Sequence, residues 1–291
     1  MADHFISELT PERLVKYTSK GDNEIYIVNH HNAPLVMREI GRLREISFSD
    51  AGGGTGKELD IDEFDTSDNC YDQLIVFNPN SKEIIGGYRF INGDRAIVDG
   101  KIQLSTVHYF DFSERFVTEF LPKTIELGRS WLRPEYQSAK NFKKGLYALD
   151  NIWEGLGAIV SLYPDIEYFF GKITMYPSYN RDARDILLSF MHKYFPDPDH
   201  LVVPKEPMTY EDRTALFDGL EYKEAFRKAN KAVRSKGEII PPLFNIYMNL
   251  SPTMRLFGTA LNNDFGEVEE SAIMITIGDV YPDKKERYVG I

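Results

Sequence analysis

The feature that most constrains the fold is a pair of apolar runs joined by a short polar turn. The runs span residues 73–77 and 83–90, and the turn between them is rich in Asn, Pro and Ser. Such a pattern predicts two antiparallel strands. Apolar periodicities then predict a strand over 124–132, a helix over 145–162, a strand over 167–175 and a helix over 181–195. This order indicates the α/β (α+β) class, with a mixed central sheet flanked by helices.

The remaining segments complete this outline. The sequence predicts a short helix from Thr10-Pro11-Glu12 towards Lys20, a strand over 24–28, a helix over 32–48 and late strands over 254–261 and 270–278. Residues 51–57 are mostly glycine and are expected to form a mobile loop. Residues 196–218 are proline-rich, and an amphipathic basic helix follows over 222–236. We therefore expect one domain over 1–291 with a helical insertion at 196–236.

Composition narrows the class of protein. The 291 residues include 45 acidic and 34 basic side chains, giving a net charge of −11, which argues against nucleic-acid binding. No run is apolar and long enough to span a membrane, and residues 1–20 lack the apolar stretch of a signal peptide. The one cysteine, Cys70, allows no internal disulfide. These features predict a cytoplasmic protein.

Three groups of residues suggest a phosphate or metal site without meeting its requirements. Residues 52–57 resemble a phosphate-binding loop, but Ala51 and Glu58 stand where that motif needs glycine and Ser or Thr. Asp60, Asp62 and Asp65 resemble the start of a calcium loop that lacks its turn glycine and closing glutamate. The six histidines have no ligand spacing. We therefore expect no metal site and no tightly bound cofactor.

Several separated motifs occur in an order typical of one family. They are Arg42-Leu-Arg44, Asp62-Glu-Phe-Asp65, Asp72-Gln-Leu74, Gly86-Gly-Tyr-Arg89 and Glu126-Leu-Gly-Arg-Ser130. Together they resemble the ornithine-type amino-acid N-acyltransferases, also catalogued as putative hemolysins, and more distantly the acyl-homoserine-lactone synthases. Both groups have the GNAT acyltransferase fold. The late segments 240–244 and 263–266 are also similar to the tail of the hemolysin-like group.

The resemblance implies a fatty acyl transfer from a carrier thioester to an amino-acid amine, towards an aminolipid. It places Glu126 on a central strand as the base, with Arg129 three residues on. Strand alternation puts these two side chains on opposite faces unless the backbone bulges near Gly128, which would also free N–H groups for an oxyanion. The alternative is that Glu126 and Arg129 form a buried ion pair that only stabilises the sheet.

The other motif residues are candidates for the acceptor side of the site. The resemblance associates a set of charged and polar side chains with substrate binding: Arg44, Asp62, Asp65, Asp72, Arg89 and Ser130. We expect the two arginines to pair with the three aspartates in one network. For these five charged residues a mainly structural role is favoured over direct contact with substrate.

The donor side is predicted from the loop before the helix at 145. The glycine pattern with which GNAT enzymes bind coenzyme A is incomplete there, whereas Lys140, Lys143 and Lys144, followed by Gly145, would suit an acidic acyl carrier protein. An ordinary solvated loop is the alternative, and acyl-coenzyme A stays open as the co-substrate. Tyr176 and Tyr179 are candidates for the general acid that protonates the thiolate.

Two other functions fit parts of the chain. One is a GNAT-like module that binds an acyl carrier or metabolite without turnover, and the other is a membrane-damaging hemolysin. The basic helix at 222–236 could also contact an anionic membrane, which would place a cytoplasmic enzyme at the periphery of the inner membrane. The acceptor amino acid, the acyl chain length and the oligomeric state do not follow from the sequence.

Overall fold

The computed structural model describes residues 4–137 and 142–288. Its strands are β1 (Leu14–Tyr17), β2 (Glu24–Val28), β3 (Asp72–Asn78), β4 (Glu83–Asn92), β5 (Ile97–Val98), β6 (Lys101–Ile102), β7 (Phe110–Phe112), β8 (Thr124–Leu132), β9 (Tyr168–Met175), β10 (Val202–Pro204), β11 (Arg255–Asn262) and β12 (Val268–Thr276). Its α-helices are α1 (Pro34–Asp50), α2 (Glu63–Thr66), α3 (Pro134–Gln137), α4 (Phe142–Leu162), α5 (Arg181–Tyr194), α6 (Tyr222–Ser235), α7 (Pro242–Met248) and α8 (Pro282–Tyr288). The predicted α/β class is confirmed.

The chain divides into two compact units. The first contains the described residues up to 105, those within 123–166 and those from 282 onward, and the second contains 106–122 and 167–281. In the first unit the strands lie in the order β1-β2-β3-β4-β8, and each neighbouring pair is antiparallel. The predicted hairpin of β3 and β4 is confirmed. Strand β3 is buried from Asp72 to Phe77 because helices lie over both of its faces.

Helix α4 packs on one face of this sheet. A side chain at Gly155 would come within 2.5 Å of Leu74, and one at Gly86 within 3.0 Å of Ile152. Gln73 pairs with Arg89 in the β3–β4 register, and alternation sends both of these side chains to the opposite face. That second face carries polar residues, and there Gln73 donates a hydrogen bond to Asp65.

Helix α1 forms where the sequence predicts it. Pro34 occupies the first helical turn, where its missing N–H costs nothing. Val36, Ile40 and Leu43 then recur at helical spacing and are buried, together with the guanidinium of Arg44. The helix ends at Asp50, before the glycine-rich residues that cannot sustain it. The spacing that buries the apolar side chains therefore also turns Arg44 towards the core.

The glycine-rich segment after α1 is anchored, contrary to the mobile loop that its composition suggests. The carboxylate of Glu45 accepts hydrogen bonds from the backbone N–H groups of Thr55 and Gly56, each at 2.9 Å, and from the Thr55 hydroxyl at 2.7 Å. Gly54 has φ of 95°, and a Cβ there would lie 2.9 Å from Glu45 Oε1. A carboxylate two turns back in α1 therefore supplies the order that the loop sequence lacks.

The second unit contains a three-stranded antiparallel sheet in the order β9-β12-β11. The predicted insertion is part of this unit, since β10 pairs with β7 and α6 packs against α5. The basic helix is confirmed as α6, and its apolar stripe is buried at Ala225, Ala229 and Val233. The single domain over 1–291 and the insertion at 196–236 stay predictions.

The helix expected from Thr10 towards Lys20 is wrong. Only Pro11–Arg13 forms a 3-10 turn, and the side chain of Thr10 makes no capping hydrogen bond. The next residues form β1, in which Leu14 pairs with Tyr26 and Tyr17 pairs with Glu24. Pairing with β2 overrides the local helix signal, because a ladder of backbone hydrogen bonds outweighs a weak propensity.

Within the described ranges, no helix is both long and apolar enough to cross a membrane.

The close approach of neighbouring strands at Gly87 leads to a first prediction. A Cβ at this position would lie 2.3 Å from the carbonyl oxygen of Leu74, which is backbone and cannot move aside cheaply. Gly87→Ala should therefore lower the free energy of unfolding by about 1–3 kcal/mol, measured by denaturant titration. Gly278→Ala is the matched control, because a Cβ there meets no atom within 4 Å. Equal stability of the two variants would contradict the described strand spacing.

Candidate active site

A β-bulge interrupts β8 in the middle of the first unit's sheet. Arg89 pairs with Gly128 and Gly87 with Trp131, so that Arg129 and Ser130 together oppose the single residue Tyr88. Arg129 has φ of 46°, in the left-handed region that L-residues rarely adopt. A bulge of this kind leaves an extra residue out of the ladder and re-aims side chains. The structure thus contains the bulge near Gly128 on which a shared face for Glu126 and Arg129 depends.

The bulge brings Glu126 and Arg129 to one face of the sheet. Glu126 pairs with Ile91 and Gly128 with Arg89, so Glu126 and Arg89 project to the same side. Arg129 reaches that side as well, because its Nε lies 2.9 Å from Asp60 and its Nη2 lies 3.7 Å from Asp62, which also binds Arg89. Regular alternation would have separated these side chains.

The carboxylate of Glu126 is buried and contacts the Tyr71 hydroxyl and the backbone of Ser105. Its Oε2 accepts a short hydrogen bond from the hydroxyl of Tyr71 and a 3.2 Å hydrogen bond from the N–H of Ser105. The same N–H lies 2.8 Å from the Tyr71 oxygen, and the guanidinium of Arg89 lies 5.2 Å from the centroid of the Tyr71 ring. Burial, and then the charge of Glu126, raise the pKa of Tyr71 well above its usual value. The phenol therefore stays protonated and donates to the carboxylate.

Three arginines and three aspartates form a compact ionic cluster beside Glu126. The arginines come from α1, β4 and the bulge of β8, and the aspartates come from the first turn of α2 and the segment that leads into it. The members of this Asp–Arg cluster are Arg44, Asp60, Asp62, Asp65, Arg89 and Arg129. Their formal charges cancel, so the cluster holds six ionised groups with no net charge. Each of the three carboxylates thus has a guanidinium group as its partner.

Asp65 is the hub of the Asp–Arg cluster. Its carboxylate accepts hydrogen bonds from both Nη atoms of Arg44 at 3.1 Å, from Nη1 of Arg89 at 3.4 Å and from Nε2 of Gln73 at 3.0 Å. Asp62 caps α2 in a capping box with Asp65. The pair of hydrogen bonds between Arg44 and Asp65 fixes the orientation of the guanidinium and the carboxylate. The short helix α2 is therefore held by charge at its first turn.

Only part of the Asp–Arg cluster reaches the surface. The side chains of Arg44 and Asp65 are fully buried, whereas those of Asp62 and Arg129 are 24% and 14% exposed. The Nε of Arg89 is buried and has no hydrogen-bond partner among the described residues. It lies beside Gly128, where an added Cβ would be 3.4 Å away. An unsatisfied donor thus lies next to the bulge and on the face of Glu126.

The electrostatics of the Asp–Arg cluster favour its ionised form. Burial alone would raise the pKa of Asp65, but the charges of Arg44 and Arg89 outweigh it and hold the pKa below its usual value. The same balance lowers the pKa of Asp60, where Arg44 and Arg129 supply the opposing charge. Both carboxylates are therefore ionised at neutral pH.

The structure brings together most of the acceptor-side residues predicted from the sequence, with one exception. Asp72 does not join the Asp–Arg cluster; it binds Arg95 at 2.6 Å and the side-chain amide of Asn29 at 2.9 Å. The physical reason is alternation along β3, which turns Asp72 away from the face occupied by Gln73. Ser130 lies in the bulge beside Arg129.

The predicted donor residues are placed only in part. Lys140 lies outside the described residues, and only the backbone of Lys143 and Lys144 is described, in the first turn of α4. Gly145 allows α4 to approach α3, because a Cβ there would lie 2.2 Å from the carbonyl oxygen of Tyr136. Donor binding by these lysines therefore stays a prediction.

The two candidate general acids belong to the second unit. Burial, followed by the charge of Glu270, raises the pKa of Tyr176 to about 12. Burial and Glu238 raise the pKa of Tyr179 as well, and its hydroxyl donates to the carbonyl oxygen of Ile239 at 2.9 Å. Both phenols are thus weaker acids than a free tyrosine, and the Tyr179 proton already has an acceptor.

Sequence reasoning missed four residues of the site: Asp60, Tyr71, Gln73 and Ser105. Asp60 was considered only as a calcium ligand, although its spacing from Asp62 and Asp65 marked the same acidic segment. Tyr71 and Gln73 flank Asp72 at the start of β3, and alternation turns both to the face opposite to Asp72. Ser105 lies 21 positions before Glu126 in an irregular segment, and no local pattern identifies it.

The hub position of Asp65 leads to a prediction about stability. Asp65→Asn would leave Arg44 and Arg89 buried with too little opposing charge, so the free energy of unfolding at pH 7 should fall by about 3–5 kcal/mol. Glu58→Gln is the control, since it removes an ion pair with Arg38 whose side chains are 78% and 65% exposed and should cost at most about 1 kcal/mol. A cost for Asp65→Asn no larger than the control would contradict the hub role.

The lowered pKa values of Asp60 and Asp65 lead to a prediction about pH. A carboxylate whose folded pKa lies below its unfolded value, about 3.9, contributes stability above that value and loses it as the pH falls through the folded pKa. The stability gap between the wild type and Asp65→Asn should therefore narrow below about pH 4. Urea titrations at pH 7, 5 and 3.5 would measure it; a gap that widens with acid would contradict the charge assignment.

The segment from α1 to the start of α4 matches a known family. The family described as Acetyltransferase (GNAT) domain matches residues 43–145, which include the Asp–Arg cluster, Tyr71 and Glu126. This match and the architecture confirm the predicted GNAT fold class.

Curated relatives extend the similarity over nearly the whole chain. A glycine N(alpha)-acyltransferase of Phocaeicola vulgatus is 50% identical over 97% of this chain and 89% of its own length. One of Bacteroides thetaiotaomicron is 51% identical over 97% of this chain and 86% of its own length. An L-ornithine N(alpha)-acyltransferase of Brucella abortus is 25% identical over 87% of this chain and 84% of its own length. The resemblance inferred from the motifs is confirmed: the chain is an acyltransferase and belongs to the amino-acid N(alpha)-acyltransferase family.

Proposed function

We propose that this enzyme transfers a fatty acyl group from a carrier-bound thioester to the α-amine of glycine. Support for the acceptor comes from two relatives named for glycine that are 50% and 51% identical over 97% of the chain, against 25% for the relative named for ornithine. The product, an N-acylglycine, has one acyl chain and a carboxylate and would be a precursor of an amino-acid-containing lipid.

The reaction forms one bond and breaks one. The glycine nitrogen attacks the thioester carbonyl, the C–N bond forms, and the C–S bond breaks to release a thiol. Glycine begins as an ammonium, so its nitrogen loses two protons: one must leave before the attack, and the second can protonate the departing thiolate. A base close to the amine is therefore required for the first proton.

Glu126 is the group we assign to this base. The observation that carries the assignment is the contact of its carboxylate with the Tyr71 hydroxyl, on the face to which the bulge also directs Arg129. Glu126 and Tyr71 are each only 1% exposed, so we assign an internal relay in which the Tyr71 hydroxyl passes one proton to Glu126 and receives another from the amine. The raised pKa of Tyr71 fits a relay that stays protonated between transfers.

Two kinds of donor are suited to the oxyanion that develops on the carbonyl. The bulge sets Arg129 and Ser130 outside the regular strand register, and we assign their backbone N–H groups as candidate donors to the oxyanion. The buried Nε of Arg89 adds a charged donor beside the same backbone. Fixed donors of this kind stabilise the transition state more than the substrate, because they need no reorganisation when charge appears.

The acceptor would meet the exposed members of the Asp–Arg cluster. Asp62 can attract the ammonium of glycine, and Arg129 its carboxylate, because these two side chains retain access to solvent. The buried Arg44 and Asp65 would act by holding α2 and the bulge in place. Their role is then structural, as the sequence favours.

We assign the acyl donor to an acyl carrier protein in preference to coenzyme A. The segment that leads into the first turn of α4 lacks the complete glycine pattern for a pyrophosphate and carries Lys140, Lys143 and Lys144, which suit an acidic protein surface. Acyl-coenzyme A is the competing donor, so the carrier thioester and acyl-coenzyme A must be compared in the same assay.

The assay and one variant test this proposal together. The purified enzyme, supplied with glycine and a long-chain acyl carrier thioester or acyl-coenzyme A, should form N-acylglycine detectable by mass spectrometry, and glycine should outcompete ornithine. Glu126→Gln should reduce kcat by about 100-fold or more, since it removes a general base. Tyr71→Phe should lower kcat through loss of the relay and leave the KM for glycine little changed.

Glu114→Gln is the control, as this glutamate is exposed and lies outside the first unit. Thermal unfolding would confirm that each variant is folded. Wild-type kcat in folded Glu126→Gln would remove Glu126 from the mechanism, and transfer to ornithine in preference to glycine would overturn the acceptor.

A further inference from the structure

Helix α6 carries a row of positive charge that the proposed chemistry does not use. Lys223, Arg227, Lys231 and Arg234 follow one another at spacings of four, four and three residues. At 100° per residue they lie within an arc of about 80°, and the row is about 16 Å long. All four are exposed, and we call them the α6 cationic row. A chain with a net charge of −11 thus concentrates cations along one helix.

The α6 cationic row is not neutralised within the described part of the chain. Lys223, Arg227 and Lys231 have no ion-pair partner among the described residues, and Arg234 donates only to the side-chain oxygen of Asn230, at 3.0 Å. Lys236, which directly follows α6, does by contrast form an ion pair, with Asp182 at 2.7 Å. Unpaired like charges at one-turn spacing on a helix repel one another. Such a row is unfavourable for the isolated helix and favourable for an anionic partner.

The apolar side of α6 is already occupied. Ala225, Ala229 and Val233 are fully buried, and the ring of Phe226 lies 5.9 Å from that of Phe190 on α5. A helix that binds a membrane needs a free apolar face to insert between lipids. The α6 cationic row therefore presents charge without a membrane anchor, which favours a protein partner over a lipid surface.

The end of α6 is joined to a loop that lines a cavity in the same unit. Lys236 binds Asp182, Glu238 accepts the N–H of Asn180 at 3.0 Å, and Tyr179 binds the carbonyl of Ile239. Tyr176, Tyr179 and Arg181 line a cavity of about 250 Å³ together with Glu267 and Glu269. Ile239, 62% exposed, offers an apolar contact where the row ends. A charged row with an apolar residue at its end suits protein docking, in which charge steers the encounter and apolar contact adds affinity.

We infer that the α6 cationic row is the docking surface for an acidic helix of the carrier protein that delivers the acyl thioester. This inference rests on the proposed carrier-bound donor. It adds a surface distinct from Lys140, Lys143 and Lys144, in the unit that does not contain Glu126. Carboxylates at one-turn spacing on a partner helix would match the spacing of the row.

The test is a charge reversal of three residues in the row: Lys223→Glu, Arg227→Glu and Lys231→Glu. With an acyl carrier thioester as donor, kcat/KM should fall at least 10-fold, mainly through KM. With an acyl N-acetylcysteamine thioester, which has no carrier, kcat/KM should stay within 2-fold of the wild type. Raising NaCl from 50 to 300 mM should weaken the wild-type reaction with the carrier and have little further effect on the variant.

A matched control carries the same change of charge elsewhere: Arg38→Glu, Lys57→Glu and Lys101→Glu, all exposed and in the first unit. Direct binding of the acyl carrier to wild type and both variants is measured by calorimetry, so that docking is tested even without turnover. Loss of binding only in the row variant supports the inference. Equal carrier binding and kinetics in all three proteins overturns it.

The remaining outcomes separate docking from the proposed reaction. A wild type that uses acyl-coenzyme A and neither binds nor uses the carrier overturns the inference and leaves glycine acylation intact. A wild type that binds the carrier through the row but makes no N-acylglycine overturns the reaction and supports the docking surface. If the row variant loses only its binding to vesicles containing 30% phosphatidylglycerol, the row is a membrane contact and the inference fails.

Discussion

The site depends on one interaction, the two-pronged contact of Arg44 with Asp65 in the interior of the first unit. Arg44 comes from α1, and Asp65 from the first turn of α2. Asp60 and Asp62, in the segment before that turn, pair with Arg129 and Arg89. A helix, a loop, a central strand and the bulge of its neighbour are thereby fixed to one another by charge. Burying charged groups such as Arg44 and Asp65 is costly, and the cost is tolerable only because each has partners of opposite sign at hydrogen-bonding distance.

Much of this arrangement could be predicted from the sequence, for reasons that differ between residues. Periodicity located α1, the β3–β4 hairpin and α4, because burial of apolar side chains imposes a repeat that is visible in one chain. The motifs located Glu126, Arg129 and Arg89, and alternation exposed the need for a bulge. The bulge itself is a matter of strand register, which depends on where Gly87 and Trp131 meet across the sheet. No single segment carries that information.

The misses have the same origin in long-range contacts. Asp72 stands within a motif, yet one position on a strand decides its face, and it pairs with Arg95 instead of the arginines of the cluster. Ser105 contacts Glu126 only because the chain returns to the sheet after β6. The local sequence from Thr10 towards Lys20 predicts a helix, but Leu14–Tyr17 form strand β1 because the edge of β2 is available for pairing. Local signals were right where packing agreed with them and failed where a distant partner decided.

The anchoring of the glycine-rich segment by Glu45 has a consequence for how this region can vary. Its donors are mostly backbone N–H groups, which every residue except proline supplies, so the anchoring itself selects few of the loop's side chains. Gly52, Gly54 and Gly56 are the exceptions, because all three have positive φ and Gly54 also lies close to the carboxylate. Glu45 in α1 therefore sets the shape of the loop. Substitutions at the remaining loop positions should leave the path of the backbone unchanged.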